Sequence, residues 1–245
     1  QTFPEYYTKG IPLGTMSNWG WHTGENPAGF KLSDVYKTYE VHGREVNYVH
    51  QFKANEDSLK AAASEWLRSN PHRIHLGMIG LQIFKEDGNE INIGDVRNPV
   101  QKLDLWTGEI ISRFMIGNTP VEVITVCHPD KDLVSGRVIS KLISENRLKI
   151  RISFPLGVSL PAGYDFSQPD KHSTVILSDS GNETVFERKQ DNDKYYVKVN
   201  HPGSGLKVYD KHLFCLDPVA DTVLEFSCLF SKEFPGEWAD IFDEV

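Results

Sequence analysis

The run Asn18-Trp19-Gly20-Trp21-His22 sets two indoles around a residue with no side chain and follows them with an imidazole, and Asn26 adds a further amide. Sugar rings present C–H faces that stack on aromatic planes and hydroxyls that need polar partners. Asn18, Trp19, Trp21, His22 and Asn26 therefore form a candidate carbohydrate-binding set. A second reading fits the same residues: both tryptophans pin a long loop to the body of the protein. The stretch His72-Arg73-Ile74-His75 places two imidazoles three apart, neighbours on a helix but on opposite faces of a strand. Because it follows Pro71 and enters a strand pattern, these rings are expected to be structural and not joint metal ligands. Cys127-His128-Pro129-Asp130 puts a thiol beside an imidazole. Adjacent strand residues point apart, so the activating hydrogen bond of a thiolate–imidazole pair is not expected. Asn182-Glu183-Thr184 matches a glycosylation acceptor, which matters only in a secretory eukaryotic setting.

Hydrolysis of a glycoside needs two carboxyls flanking one bond, about 6.5–9.5 Å apart in an inverting enzyme. No spacing among the Asp and Glu residues singles out such a pair. Asp104 is expected to orient the turn at Thr107-Gly108 and not to be catalytic. No catalytic residue, metal ligand or cofactor is expected within the chain.

The elements that must hold these residues read mostly as strands. From Leu103 to Phe154 the chain reads as a β-meander, punctuated at Gly117-Asn118-Pro120 and at Asp130-Lys131-Asp132. In its last strand Leu148, Ile150, Ile152 and Phe154 alternate with Arg147, Lys149, Arg151 and Ser153, which predicts one buried face and one wet face. Val121 to Cys127 is apolar on both sides, as suits a central strand. Residues 1–50 read as long aromatic loops, with Ser33 or Asp34 capping a short turn and a hairpin turning at His42-Gly43-Arg44. Asn55 to Asn70 is the single convincing helix, capped by Asn55 or Asp57, with Leu59, Ala62, Ala63, Trp66 and Leu67 on one narrow face. The second half is nearly all strand, with turns at Ser180-Gly181-Asn182 and a Gly/Pro-rich loop from Pro155 to Asp170. Short strands at this spacing predict an all-β fold, a β-sandwich with one short helix and long N-terminal loops.

A chain of 245 residues suits one large sandwich or at most two small domains. A formal net charge of −8, with its basic residues scattered, argues against a nucleic-acid partner. No apolar run is long enough to span a bilayer. The first residue is Gln and no signal sequence precedes it, so the chain is expected to be a processed or truncated piece. Cys127, Cys215 and Cys228 form no CxxC and lie in apolar strand-like contexts, which predicts three buried free thiols.

The segment LDLWTG, a strand, a Gly-Asn turn, VEVITVCHPD and a further apolar strand resembles the N-terminal β-sandwich of bacterial glycosidases with a six-hairpin, (α/α)6 catalytic barrel. Inverting α-fucosidases and the maltose phosphorylase group are its better-known members. More narrowly, NWGWH (Asn18 to His22), NPHRIHLG (Asn70 to Gly77) and LDLWTGEI resemble a Bacteroidetes-type branch. The resemblance implies a supersandwich of galactose-mutarotase-like architecture over residues 1–236, with residues 237–245 beginning a linker to a downstream catalytic domain. It also implies an oligosaccharide or glycoside substrate and a periplasmic or extracellular location. In that family the catalytic carboxylates lie in the barrel, beyond Val245, and the opening strands carry a Gly-Asn-Gly signature that is missing here. Four functional readings follow: a non-catalytic accessory domain packing on the barrel, an independent carbohydrate-binding module, a sugar mutarotase-like enzyme, and a purely structural or oligomerisation sandwich.

Overall fold

The computed structural model describes residues 17–159, 163–219 and 222–237. In chain order its elements are β1 (Trp21–His22), β2 (Tyr36–Val41), β3 (Arg44–Val49), helix α1 (Ser58–Ser69), β4 (His72–Arg73) and β5 (Met78–Ile83). A meander of β6 (Val96–Leu103), β7 (Ile110–Ile116), β8 (Thr119–Cys127) and β9 (Leu133–Ile139) comes next, then the one-turn helix α2 (Lys141–Ser144). The remaining strands are β10 (Leu148–Ser153), β11 (Leu156–Gly157), β12 (Tyr164–Asp165), β13 (His172–Asp179), β14 (Glu183–Gln190), β15 (Asp193–Asn200), β16 (Ser204–Asp210), β17 (Leu213–Pro218) and β18 (Val223–Ser231).

The fold is an all-β sandwich. An eight-stranded antiparallel sheet runs β13-β14-β15-β18-β9-β8-β7-β6, and a four-stranded sheet runs β16-β17-β10-β5. Their inner faces share one core in which Ile83, Ile150, Ile152, Phe214 and Leu216 of the smaller sheet meet Val121, Val138, Phe186, Val197 and Leu224 of the larger. Among the described residues three two-stranded pairs lie outside these sheets: β1 with β4, β2 with β3, and β11 with β12.

The last strand of the expected meander belongs to the other sheet. β10 pairs with β17 and β5, not with β9. Ser140 caps α2 through its side chain, and Asn146 takes a left-handed conformation at φ 57°, so the chain reverses and drops to the second layer. Alternation is the same in either sheet, which is why it did not distinguish them. The polar face of β10 is only partly exposed. Lys149 is buried beside Asp217 at 3.0 Å and Tyr209 at 3.2 Å.

Helix α1 starts at Ser58, with the Asp57 carboxylate accepting from the amides of Leu59 and Lys60 at 3.1 and 3.0 Å. Of its expected apolar face only Ala63 is buried, and Leu59 and Ala62 are exposed. The helix covers loop, not sheet: it packs on the 32–35 turn, and Trp66 Nε1 donates to the carbonyl of Glu25 at 3.0 Å. The cap of that turn is Lys31, whose amide donates to Asp34, instead of Ser33 or Asp34. Cys215 and Cys228 are buried and burial raises both thiol pKa values, Cys215 to about 11. Cys127 differs from expectation and is exposed, because it ends β8 where the strand leaves the core. Phe234 meets Tyr196 edge-on at 5.4 Å and the Gly236 carbonyl accepts from Lys198 at 2.7 Å, so residues 234–236 lie back across β15. The linker expected at 237–245 falls outside the described residues beyond Glu237, as do the aromatic and Gly/Pro positions before Ser17.

Arg188 of β14 points inward and is almost wholly buried. Its five N–H groups meet five acceptors: Tyr195 Oη at 3.3 Å, the Ser173 carbonyl at 2.7 Å, Thr174 Oγ1 at 2.6 Å, the Pro155 carbonyl at 3.2 Å and His172 Nδ1 at 2.9 Å. Tyr195 in turn donates to the Leu76 carbonyl at 2.7 Å. The guanidinium therefore links three strands of the large sheet to the segments on either side of the small one.

Ile150 sits between β5 and β17 with no solvent exposure. Ile150→Ala is expected to lower the unfolding free energy in urea by about 2–5 kcal/mol through lost burial and a residual cavity. A loss under about 0.5 kcal/mol would show that this face does not carry the core.

Candidate functional site

Residues 17–22 reach one end of the large sheet as a short strap held at every second residue. β1 pairs with β4 so that Trp21 stands beside Arg73 and His22 beside His72. Antiparallel partners share a face, and each pair interacts directly. The Arg73 guanidinium lies 3.9 Å from the Trp21 ring, and its Nη1 donates to the Ser17 carbonyl. The His22 ring meets His72 edge-on at 5.1 Å. A Cβ on Gly20 would lie 2.6 Å from Ser17 Oγ and 3.2 Å from Ile74 Cγ2, so a larger residue here would displace the Ser17 hydroxyl that accepts from the Gly20 amide.

The two indoles have different surroundings. Trp19 turns inward, packs on the core and on Tyr195 at 6.1 Å, and donates from Nε1 to Asp132 at 2.6 Å. Trp21 is 46% exposed, with Arg73 over its ring and its Nε1 donating to the Asn18 carbonyl at 3.2 Å. They do not share one platform. Asn18 is exposed at the start of the strap. His22 is buried, with Nδ1 2.7 Å from Asp193 and Nε2 3.2 Å from Asp191. Asn26 spends both ends of its amide on Phe30, at 2.9 Å each, and shapes its own loop.

Asp191 and Asp193 flank the β14–β15 turn, and each is just under half exposed. The His22 ring is wedged against both carboxylates and acts as their common partner. This suits positioning more than acid and base roles on opposite sides of a bond. Among the described residues no group of three or more His, Cys, Asp or Glu side chains is placed to hold a metal ion. His72 contacts the Ser69 and Gly157 carbonyls at 3.0 and 3.4 Å, while His75 meets Tyr164 edge-on at 5.7 Å. Burial lowers the His75 pKa to about 4, and the Arg188 charge adds to the shift. His128 does not engage Cys127 and instead accepts from the Asp130 and Lys131 amides at 3.1 and 3.2 Å.

Three features of this end were not singled out from sequence: Arg73, the Asp191/Asp193 pair and Asp132 as the Trp19 acceptor. Arg73 stood in plain view between two histidines. The aspartates carried only a turn signal. The same end of the sheet also carries the β6–β7 tip, since Leu103 pairs with Ile110, Ile110 with Thr125, and Cys127 with Val134 beside the 128–132 turn. Asp104 shapes that tip by accepting from the amides of Trp106 at 2.9 Å and Thr107 at 3.3 Å, which lowers its pKa. Leu105 and Trp106 are left 89% and 96% exposed.

The sequence matches no family model and no curated protein. The fold has partial likeness to solved structures. One is a bacterial glucoamylase complexed with acarbose, at 7% identity and a TM-score of 0.43, covering 63% of this chain and 27% of that one. Another is a protein from the human microbiome provisionally named a kojibiose phosphorylase, at 10% identity and a TM-score of 0.41, covering 71% of this chain and 28% of that one. The chain thus spans little more than a quarter of each, and likeness of this degree says nothing about activity.

Trp19→Ala is expected to destabilise the protein by about 3 kcal/mol, the scale for truncating a packed tryptophan. Trp21→Ala should cost under about 1 kcal/mol, the worth of an exposed cation–π contact. Equal losses in chemical denaturation would contradict the division of roles. A histidine whose pKa falls on folding stabilises fully above its unfolded value of about 6.5, and that stability drains away as pH falls toward the folded value. The urea midpoint should therefore fall from about pH 6.5 toward about pH 4, where His75 titrates. A flat midpoint across this window would show that His75 is not buried in its neutral form.

Proposed function

We propose that this chain is a non-catalytic β-sandwich domain of a carbohydrate-active enzyme, a glycoside hydrolase or a relative of one. In this reading it packs on an (α/α)6 catalytic barrel of the same polypeptide, outside the cytoplasm, and lends the Asn18–His22 strap to the rim of the active site. The observation that most supports it is a convergence. The segments on which the sequence resemblance rests, NWGWH, NPHRIHLG, LDLWTG and VEVITVCHPD, all reach one end of the large sheet, and Trp19 bonds across 113 residues to Asp132 in the turn that HPD opens. That end is also where Trp21, Leu105 and Trp106 stand in solvent. Large apolar side chains exposed at one end of a domain suit a surface that is covered in the working protein. Because Trp19 is committed to the core, Trp21 is the ring of this loop that remains to meet a sugar or the barrel.

Among the described residues no helix is long and apolar enough to cross a membrane. Nor does the site pair carboxyls across an open space where a glycosidic bond would lie, so the isolated chain is expected to turn over no aryl glycoside or oligosaccharide. In a polypeptide that also carries the barrel, Trp21→Ala should lower kcat/KM about two- to twelvefold, the equivalent of about 0.5–1.5 kcal/mol, with the sandwich still folded. Reproducible turnover by the purified 245-residue chain, abolished by replacing one Asp or Glu within it, would overturn the accessory role.

A further inference from the structure

A pocket of about 290 Å³ opens between the outer face of the four-stranded sheet and the segment leading into β13, and it shares no residue with the strap. Its floor is apolar, built from Met78, Phe154 and Leu213, and Phe166 stands at its wall 49% exposed. Above the floor are Arg151, Ser153, His172, Lys211 and Asp210. The size is just below the range of about 300–1,000 Å³ for ligand pockets and suits one small ring.

The polar groups have a definite sense. Arg188 Nη2 can only donate, so His172 Nδ1 is an acceptor in their 2.9 Å contact. Burial, together with the Arg188 charge, pushes the His172 pKa down to about 3, so at neutral pH the ring carries its single proton on Nε2. His212 stacks on His172 at 3.8 Å. Its two nitrogens are used, Nε2 donating to the Pro169 carbonyl at 2.8 Å and Nδ1 accepting from Thr174 Oγ1 at 2.6 Å. Thr174 can donate there because its oxygen already accepts from Arg188 at 2.6 Å. No hydrogen bond among the described residues uses His172 Nε2–H, although the residue is only 6% exposed.

The cations at the wall are already balanced. Arg151 is 3.1 Å from Glu90, and Lys211 is 2.7 Å from Asp170. Asp210 accepts from the Lys211 amide at 2.7 Å. The pocket thus offers several N–H and O–H donors, one carboxylate acceptor, an apolar floor and an aromatic wall, without a large surplus of positive charge. We infer that it binds a neutral, hydroxyl-rich small ring, a monosaccharide or cyclic polyol, with a C–H face on Phe166 and its oxygens toward His172, Arg151 and Ser153. Whether or not a catalytic barrel packs on the strap, these groups are in place.

The test is a nuclear magnetic resonance titration of the full chain with methyl β-D-glucopyranoside and with myo-inositol as neutral probes. D-glucuronate and inorganic phosphate serve as charged ones. At least one neutral probe should shift the amides of Arg151, Phe166 and Lys211 to His212. Phe166→Ala should weaken that binding about three- to tenfold, while leaving the rest of the spectrum that of the folded protein. Absence of pocket shifts with both neutral probes, binding of the charged probes alone, or an affinity unchanged by Phe166→Ala would each overturn the assignment.

Discussion

The structure depends on a buried guanidinium that has no carboxylate partner. Removing such a group from water costs several kcal/mol, and nothing among the described residues forms an ion pair with Arg188. What offsets the cost is complete hydrogen bonding: every N–H finds an acceptor, and hydrogen bonds to charged groups are worth about 1.5–3 kcal/mol each. The rings of Phe154 and Tyr195 lie 5.1 and 5.9 Å from the guanidinium carbon and add their electron-rich faces. Three of the five acceptors lie on β13, one on β15 and one at the end of β10. The relative placement of the two sheets at this end is consequently fixed to the length of a hydrogen bond.

That constraint spreads in two directions. Through Tyr195 it reaches the Leu76 carbonyl and the Trp19 ring, so the strap is seated on the same framework that holds the sheets together. Beyond the strap, Gln190 bonds both ways with Gly157 at 2.8 and 2.9 Å, and Gly157 in turn meets His72. In the other direction, through Thr174 and His172, it fixes which nitrogens of the stacked imidazoles carry protons. Its charge contributes to the lowered pKa values of His75, His172 and His212 alike, after burial in each case.

Most strands and turns were legible because alternation and Gly/Asn turn chemistry are local properties. The meander strands, the Gly117-Asn118 turn and the buried Leu148-Ile150-Ile152 row needed no tertiary information. The sheet that a strand joins is not local, which is why β10 was placed beside β9. β14 shows the same limit at the level of a face. Its inward side carries Thr184, Phe186, Arg188 and Gln190, all buried, while Val185 lies on the other side and is buried too. Polarity alone could not choose between those sides, so the residue that organises the junction looked like an ordinary strand cation. The aromatic strap was legible as a cluster, but the opposite orientations of Trp19 and Trp21 are set by Asp132 and Arg73, residues far away in sequence.

The measurement that most directly tests the central role of Arg188 is the protonation of the His172 ring, read by long-range proton–nitrogen correlation on selectively labelled protein. The account predicts a neutral ring at neutral pH, protonated on Nε2 with Nδ1 as the acceptor, unchanged on acidification to about pH 5 because its pKa lies near 3. A ring protonated on Nδ1, or one that becomes cationic close to its ordinary pKa, would mean that Arg188 does not donate to it and that the junction is built differently.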